Sequence, residues 1–179
     1  MSDATLGTRQ AVGSDQLLRA AAVAFALAVV LHNGDHLRRG GDSVTAQVFW
    51  LGSAAILLEV GVVALVLVRH PSAPLAAIAV GFTLAVGYIV VHFTPHRSFV
   101  SDSLVGGHAQ IVSILAASLE TITASALGLA GVRAVRARGL ATTAGTSYGD
   151  AILDGLRQPF VAAFALANVL IFLFSLAGR

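Results

Sequence analysis

Residues 75–92 read LAAIAVGFTLAVGYIVVH, eighteen positions without a fixed charge. Wound as an α-helix at 1.5 Å per residue, the run carries His92 about 25 Å from Leu75, most of the way across roughly 30 Å of hydrocarbon. A soluble globule of 179 residues needs a polar shell, and this stretch has no polar face to contribute to one. It reads as a membrane span, stopped by Pro95, whose ring removes a donor and clashes with the preceding turn.

Comparable runs lie on both sides of it. Leu17–Leu37 precedes Arg38-Arg39 and a Gly40-Gly41-Asp42-Ser43 turn, with Gly34 as a possible earlier cap; Val44–Val68 contains one ionisable residue, Glu59. His108–Val132 again holds one central acid, Glu120, and Pro159–Gly178 holds Asn168. The expected fold is all-α, a polytopic transmembrane helical bundle of about five spans. Residues 1–16 form a polar N-terminal tail and 17–138 a four-span core. Residues 139–157 form a linker ending in a short amphipathic interfacial helix, and 158–179 the fifth span.

Composition narrows the function classes. The chain is 56% hydrophobic and 11% charged with a mean hydropathy of +0.84, against about 25% charge in soluble domains. There is no cysteine and no lysine, which removes thiolate ligands, disulfides and a retinal-type Schiff base. The pI of about 9.9 reflects a formal charge of only +2, so no nucleic-acid partner is expected. The expected partners are the lipid bilayer and a second copy or a membrane-complex subunit. Seven arginines fall on one side of the spans and four on the other. That bias places the N-terminus in the cytoplasm; with so much alanine and glycine, the chain looks like a bacterial inner-membrane protein.

Running the helical rise along each span brings five of the six histidines to one membrane face, the extracytoplasmic one. His32 and His92 lie at the far ends of their spans, His108 at the start of another, and Asp35, His36 and His96 in the adjoining turns. Imidazole is a common ligand for zinc, copper and haem iron, so these six residues form a candidate site for a zinc or copper ion or a haem b. His32 and His36, like His92 and His96, have i, i+4 spacing and would share a face on a continuous helix. The same imidazoles also suit helix C-termini as caps. The stretch His32-Asn33-Gly34-Asp35-His36 resembles the H-x-x-E-H of inverted zinc peptidases with aspartate for glutamate. His92-x-x-x-His96 resembles one histidine box of membrane desaturases or seven-span metal hydrolases. The companion motifs of those families are missing, and no family is assigned.

Glu59 and Glu120 form a second constellation. A carboxylate in mid-bilayer is costly, so both should face protein or water, with Gln47, Ser53, Ser113, Thr121 and Asn168 as candidate partners. Two small-to-polar stripes, Ala77-Gly81-Ala85-Tyr88-His92 and Ala21-Ala24-Ala28-His32-Asp35, give packing faces that end on a histidine. Ser101-Asp102-Ser103 reads as an N-cap region. Three functions are compatible with these residues: a metal or haem site serving electron transfer or metal handling, a proton-coupled transporter or channel working through Glu59 and Glu120, and a non-catalytic accessory subunit.

Overall fold

In the computed structural model, which describes residues 3–40, 43–95, 101–105, 109–138 and 153–177, the regular structure among the described residues is helical. Five long helices follow in chain order: α1 (Asp3–Arg39), α2 (Ala46–Leu67), α3 (Ala73–Phe93), α4 (Ile111–Arg138) and α5 (Pro159–Ala177). Four contain stretches long and apolar enough to cross a membrane, Val12–Arg39, Ala46–Leu67, Ala73–Phe93 and Ile111–Ala137; α5 is apolar over the shorter stretch Pro159–Ser175. Leu27, Leu31, Leu57, Leu115, Ile122 and Phe174 are each more than half exposed on the outside of these helices. Such a surface is unfavourable in water and neutral against acyl chains.

The helix ends have local causes. Gly34 does not stop α1; the helix runs on to Arg39 and ends at Gly40, whose φ of 90° is a left-handed conformation open to glycine. His32 and His36 therefore sit one turn apart on a continuous helix. At its other end α1 starts at Asp3, well before the apolar run, so the polar segment up to Gln16 is part of the helix from residue 3 on. The Thr45 side chain caps α2, accepting from the Val48 N–H at 3.2 Å. Arg69, at φ 58°, turns the chain out of α2, and the His70 N–H closes that end on Leu65 O at 2.9 Å.

The helices α1, α4, α3 and α2 form a ring in which each packs on the next, and α5 lies against α1 and α2. The closest approach is between α3 and α4. A Cβ on Gly81 would lie 2.7 Å from both Ala124 O and Gly128 N, and one on Gly131 would lie 2.6 Å from Pro74 O. Small residues at these positions let the backbones meet, and Ala77, Gly81 and Ala85 are buried as their stripe predicts. On α1 the stripe needs correction: Ala24 faces outward, and Phe25 and Val29 fill the core beside Ala28.

One helix does not close on its neighbours along its whole length. α2 buries Glu59 and Val62 to Val66, all in the half remote from the head of the bundle, where α1 and α3 end. Its head half stands away and leaves a cavity of about 310 Å³ between α1, α2, α3 and α5. Of the expected interfacial helix, residues 153–156 form one helical turn. There Gly155 abuts Ala64 of α2, and the exposed Asp154 and Arg157 pair at 3.0 Å.

Asn168 fastens α5 to α1. The Asn33 amide donates to Asn168 Oδ1 at 2.7 Å, and Asn168 Nδ2 donates to Phe164 O at 2.9 Å. Buried side-chain hydrogen bonds between membrane helices are worth about 0.6–1.7 kcal/mol. Asn168→Leu should lower stability by that amount, read from the unfolding midpoint in detergent, and an unchanged midpoint would show that the bond is not made.

Candidate metal centre

Three imidazoles meet at the head of the bundle. His32 and His36 come from the last two turns of α1 and His92 from the last turn of α3. One ligand nitrogen from each ring lies within 4.8 Å of those of the other two. The His32 and His36 Nε2 atoms are 2.9 Å apart, and the His92 ring centroid lies 4.7 Å from that of His32 and 6.0 Å from that of His36. His32 and His92 are buried. They converge because the inward faces of α1 and α3 both end on a histidine and because α1 remains helical past Gly34.

Hydrogen bonding around the rings shows which nitrogens are available. His92 Nδ1 faces two acceptors, Asp102 O at 3.2 Å and Asp102 Oδ2 at 3.5 Å. The ring proton therefore sits on Nδ1, and the Nε2 lone pair is left for a ligand. A guanidinium only donates, so the Arg39 contact at 2.7 Å makes His36 Nδ1 an acceptor and leaves the His36 Nε2–H to donate to His32 Nε2. Metal held at His36 Nε2 would take the place of that last hydrogen bond and would require the His36 proton on Nδ1, with the Arg39 N–H turned away from that nitrogen. Asp102 Oδ2, at 3.9 Å, is the acceptor waiting there.

Asp102 is the organising residue of the outer layer. It lies in segment 101–105, which folds back on the end of α3 through Asp102 N–H to Val91 O at 3.1 Å and Leu104 N–H to His92 O at 2.8 Å. Arg39 grips its carboxylate with two hydrogen bonds of 3.0 and 2.6 Å. Burial opposes the charge on Asp102, yet the hydrogen bonds from His92 and Arg39 outweigh it and hold this carboxyl well below the usual carboxylate range. Carboxylates that orient a metal-bound histidine typically contribute 10–100-fold to affinity. Asp102→Asn should weaken metal binding by about that factor without abolishing it, as measured by competition with a chelator of known affinity.

The remaining expected site residues fall in different places. Asp35 does not join the ring cluster; it is buried in ion pairs with Arg38 at 2.6 Å and Arg39 at 3.2 Å. It thus lacks the freedom that the acid of an H-x-x-E-H motif needs. His96 and His108 lie outside the described residues. Besides Asp102, the acid beside the rings is Glu120, whose Oε2 is 3.5 Å from His32 Nε2. Tyr88 donates to Glu59 Oε1 at 2.7 Å and also contacts Glu120, so one phenol lies between the two acids.

The other suggested partners of the acids are engaged elsewhere. Gln47 is exposed at the start of α2, about 18 Å along the helix from Glu59. Ser113 is buried beside Arg38, which donates to it at 3.3 Å, and Asn168 pairs with Asn33. Ser53 and Thr121 hydroxyls bond back to Phe49 O and Ala117 O on their own helices. Ser101 to Ser103 does not cap α4, which begins at Ile111.

Sequence reasoning missed Arg39, Asp102 and Tyr88. In the sequence Arg39 reads as a topology charge, although it lies three residues from His36, and Asp102 reads as a cap, ten residues beyond His92. No protein family, curated protein or solved structure matches this chain.

Proposed function

We propose that this chain is an integral membrane protein holding one divalent transition-metal ion, zinc or copper, at the head of the bundle, and that it serves metal handling. His32, His36 and His92 are the ligands, and Glu120, whose Oε2 lies 3.5 Å from His32 Nε2, stands beside the open fourth position. The observation that carries this reading is the convergence of three imidazoles, two of them buried and the third half-buried, from two helices, within 4.8 Å. Tetrahedral ligands at 2.0–2.1 Å from an ion are roughly 3.3 Å apart, so modest side-chain rotations close the set. Three protein ligands with a fourth position toward a cavity is the arrangement of an open rather than a structural site.

The geometry favours an ion over a haem. The two axial imidazoles of a haem stand on opposite faces of a flat macrocycle, whereas His36 packs against both His32 and His92, at 4.5 and 6.0 Å between centroids. Electron transfer of the blue-copper type relies on a thiolate ligand, and the chain has no cysteine. The arginine bias supports an extracytoplasmic head with the N-terminus inside a bacterial inner membrane.

Elemental analysis of protein purified gently in detergent tests the reading. One equivalent of zinc or copper per chain is expected, without a Soret band; a Soret band, or a chain that takes up no metal on incubation, would end it. A second reading, proton coupling through Glu59 and Glu120, is favoured by the Tyr88 bridge between them. It predicts that Glu59→Gln and Glu120→Gln abolish proton flux in vesicles.

A further inference from the structure

The cavity under α2 touches the histidine cluster, and its features specify an occupant. His32, His36 and His92 line it together with Glu120, whose Oε2 is 3.5 Å from His32 Nε2, and with Glu59 and Tyr88, and apolar side chains from α2, α3 and α5 make up most of the remaining wall. Both acids are almost fully buried, yet Glu59 Oε2 and Glu120 Oε2 have no hydrogen-bond partner among the described residues. Buried acceptors without donors are unfavourable, and two of them facing one space call for a ligand that brings donors. The volume of about 310 Å³ is at the lower end for small-molecule sites. At the head end of the same wall, Phe49 of α2 stacks on Phe172 of α5 at 5.5 Å, with Trp50 beside both.

We infer that this cavity binds a small lipid-soluble molecule with a hydroxylated head. The head donates O–H groups to Glu59 and Glu120 and offers an oxygen to the ion on the three histidines, while its apolar part lies against Val48, Phe49, Leu84 and Phe172. The inference rests on the metal reading for one of these contacts and on the unpartnered carboxyls and apolar wall for the rest. The head half of α2 supplies the entrance: it is the part of that helix left unburied, and there Phe49 stacks on Phe172 of α5.

Two glycines make the test clean. Gly52 and Gly87 line the cavity, and a Cβ at either meets nothing within 4 Å, so a leucine there starts into open space and takes up cavity volume. The protein in detergent is loaded with Co²⁺, whose visible bands report its coordination, and titrated with octanohydroxamate or acetohydroxamate. Both probes carry the same chelating, hydrogen-bond-donating head, and one carries an alkyl chain. Octanohydroxamate should shift the cobalt bands at concentrations at least tenfold lower than acetohydroxamate. Gly87→Leu or Gly52→Leu should remove that advantage while leaving cobalt content and the probe-free spectrum unchanged.

Equal potency of the two probes, or full octanohydroxamate binding in the filled variants, overturns the inference while the metal reading stands. Failure to take up cobalt overturns the metal reading instead. The cavity is then judged by the fluorescence of Trp50, the single tryptophan. A saturable change with octanohydroxamate that Gly87→Leu abolishes supports an occupant held by the carboxyls; no change overturns it.

Discussion

His32→Ala and His92→Ala should each weaken divalent metal binding by more than about 100-fold, beyond the 10–100-fold that attaches to outer-shell partners. Each removes one of three nitrogens that the fold brings together, and no other described histidine can replace it, since His70 lies at the opposite end of the bundle beside Ser72. The loss should also appear as stability. An ion at 100 times its dissociation constant stabilises the folded chain by about 2.7 kcal/mol, so adding zinc should raise the unfolding midpoint of the parent protein and leave that of either variant in place. Isothermal titration and thermal unfolding in the same detergent measure both effects. Equal zinc-dependent stabilisation of parent and variants would show that the ion binds elsewhere.

Gly81→Ala and Gly87→Ala should move stability in opposite directions, although they lie on the same helix six residues apart. At Gly81 the added methyl meets Ala124 O and Gly128 N at 2.7 Å. Both are backbone atoms of α4, which can yield only by moving the helix, and overpacking of this kind costs about 1–3 kcal/mol. The shift would also tilt α3 and draw His92 away from α1, so metal affinity should fall with stability. At Gly87 the methyl meets nothing within 4 Å, and Gly→Ala in a compatible helical position stabilises by about 0.4–1 kcal/mol. Unfolding midpoints of the two variants decide the matter; equal effects would mean that α3 and α4 are not in backbone contact at Gly81.

The bundle was legible because its signal is dense. Runs such as residues 75–92 repeat the same physical constraint at every position, and Pro95 and Pro71 mark where it stops. The histidine cluster was half legible: helical rise alone puts His32 and His92 at one depth. Whether His36 joins them depends on Gly34 staying helical, and glycine by itself permits both outcomes; the left-handed turn waits until Gly40. Asp35 was misplaced because Arg38 and Arg39, next to it in sequence, take its carboxylate on the α4 side. Asp102 was not legible, since its role depends on segment 101–105 folding back on α3, a contact that no periodicity encodes. The pairing of Glu59 with Tyr88 could have been found: each falls near the middle of an apolar span, where a polar side chain has few partners to choose from. The cavity was not legible, because it arises where α2 packs on its neighbours along half its length, a property of five helices together.

The central claim, that His32, His36 and His92 share one ion, is tested most directly by X-ray absorption on protein loaded with one equivalent of zinc. A first shell of nitrogen and oxygen at about 2.0–2.1 Å, with outer-shell scattering from three imidazoles that falls to two in His36→Ala, is the predicted spectrum. A shell without imidazole scattering, or one unaltered by the loss of His36, would contradict it.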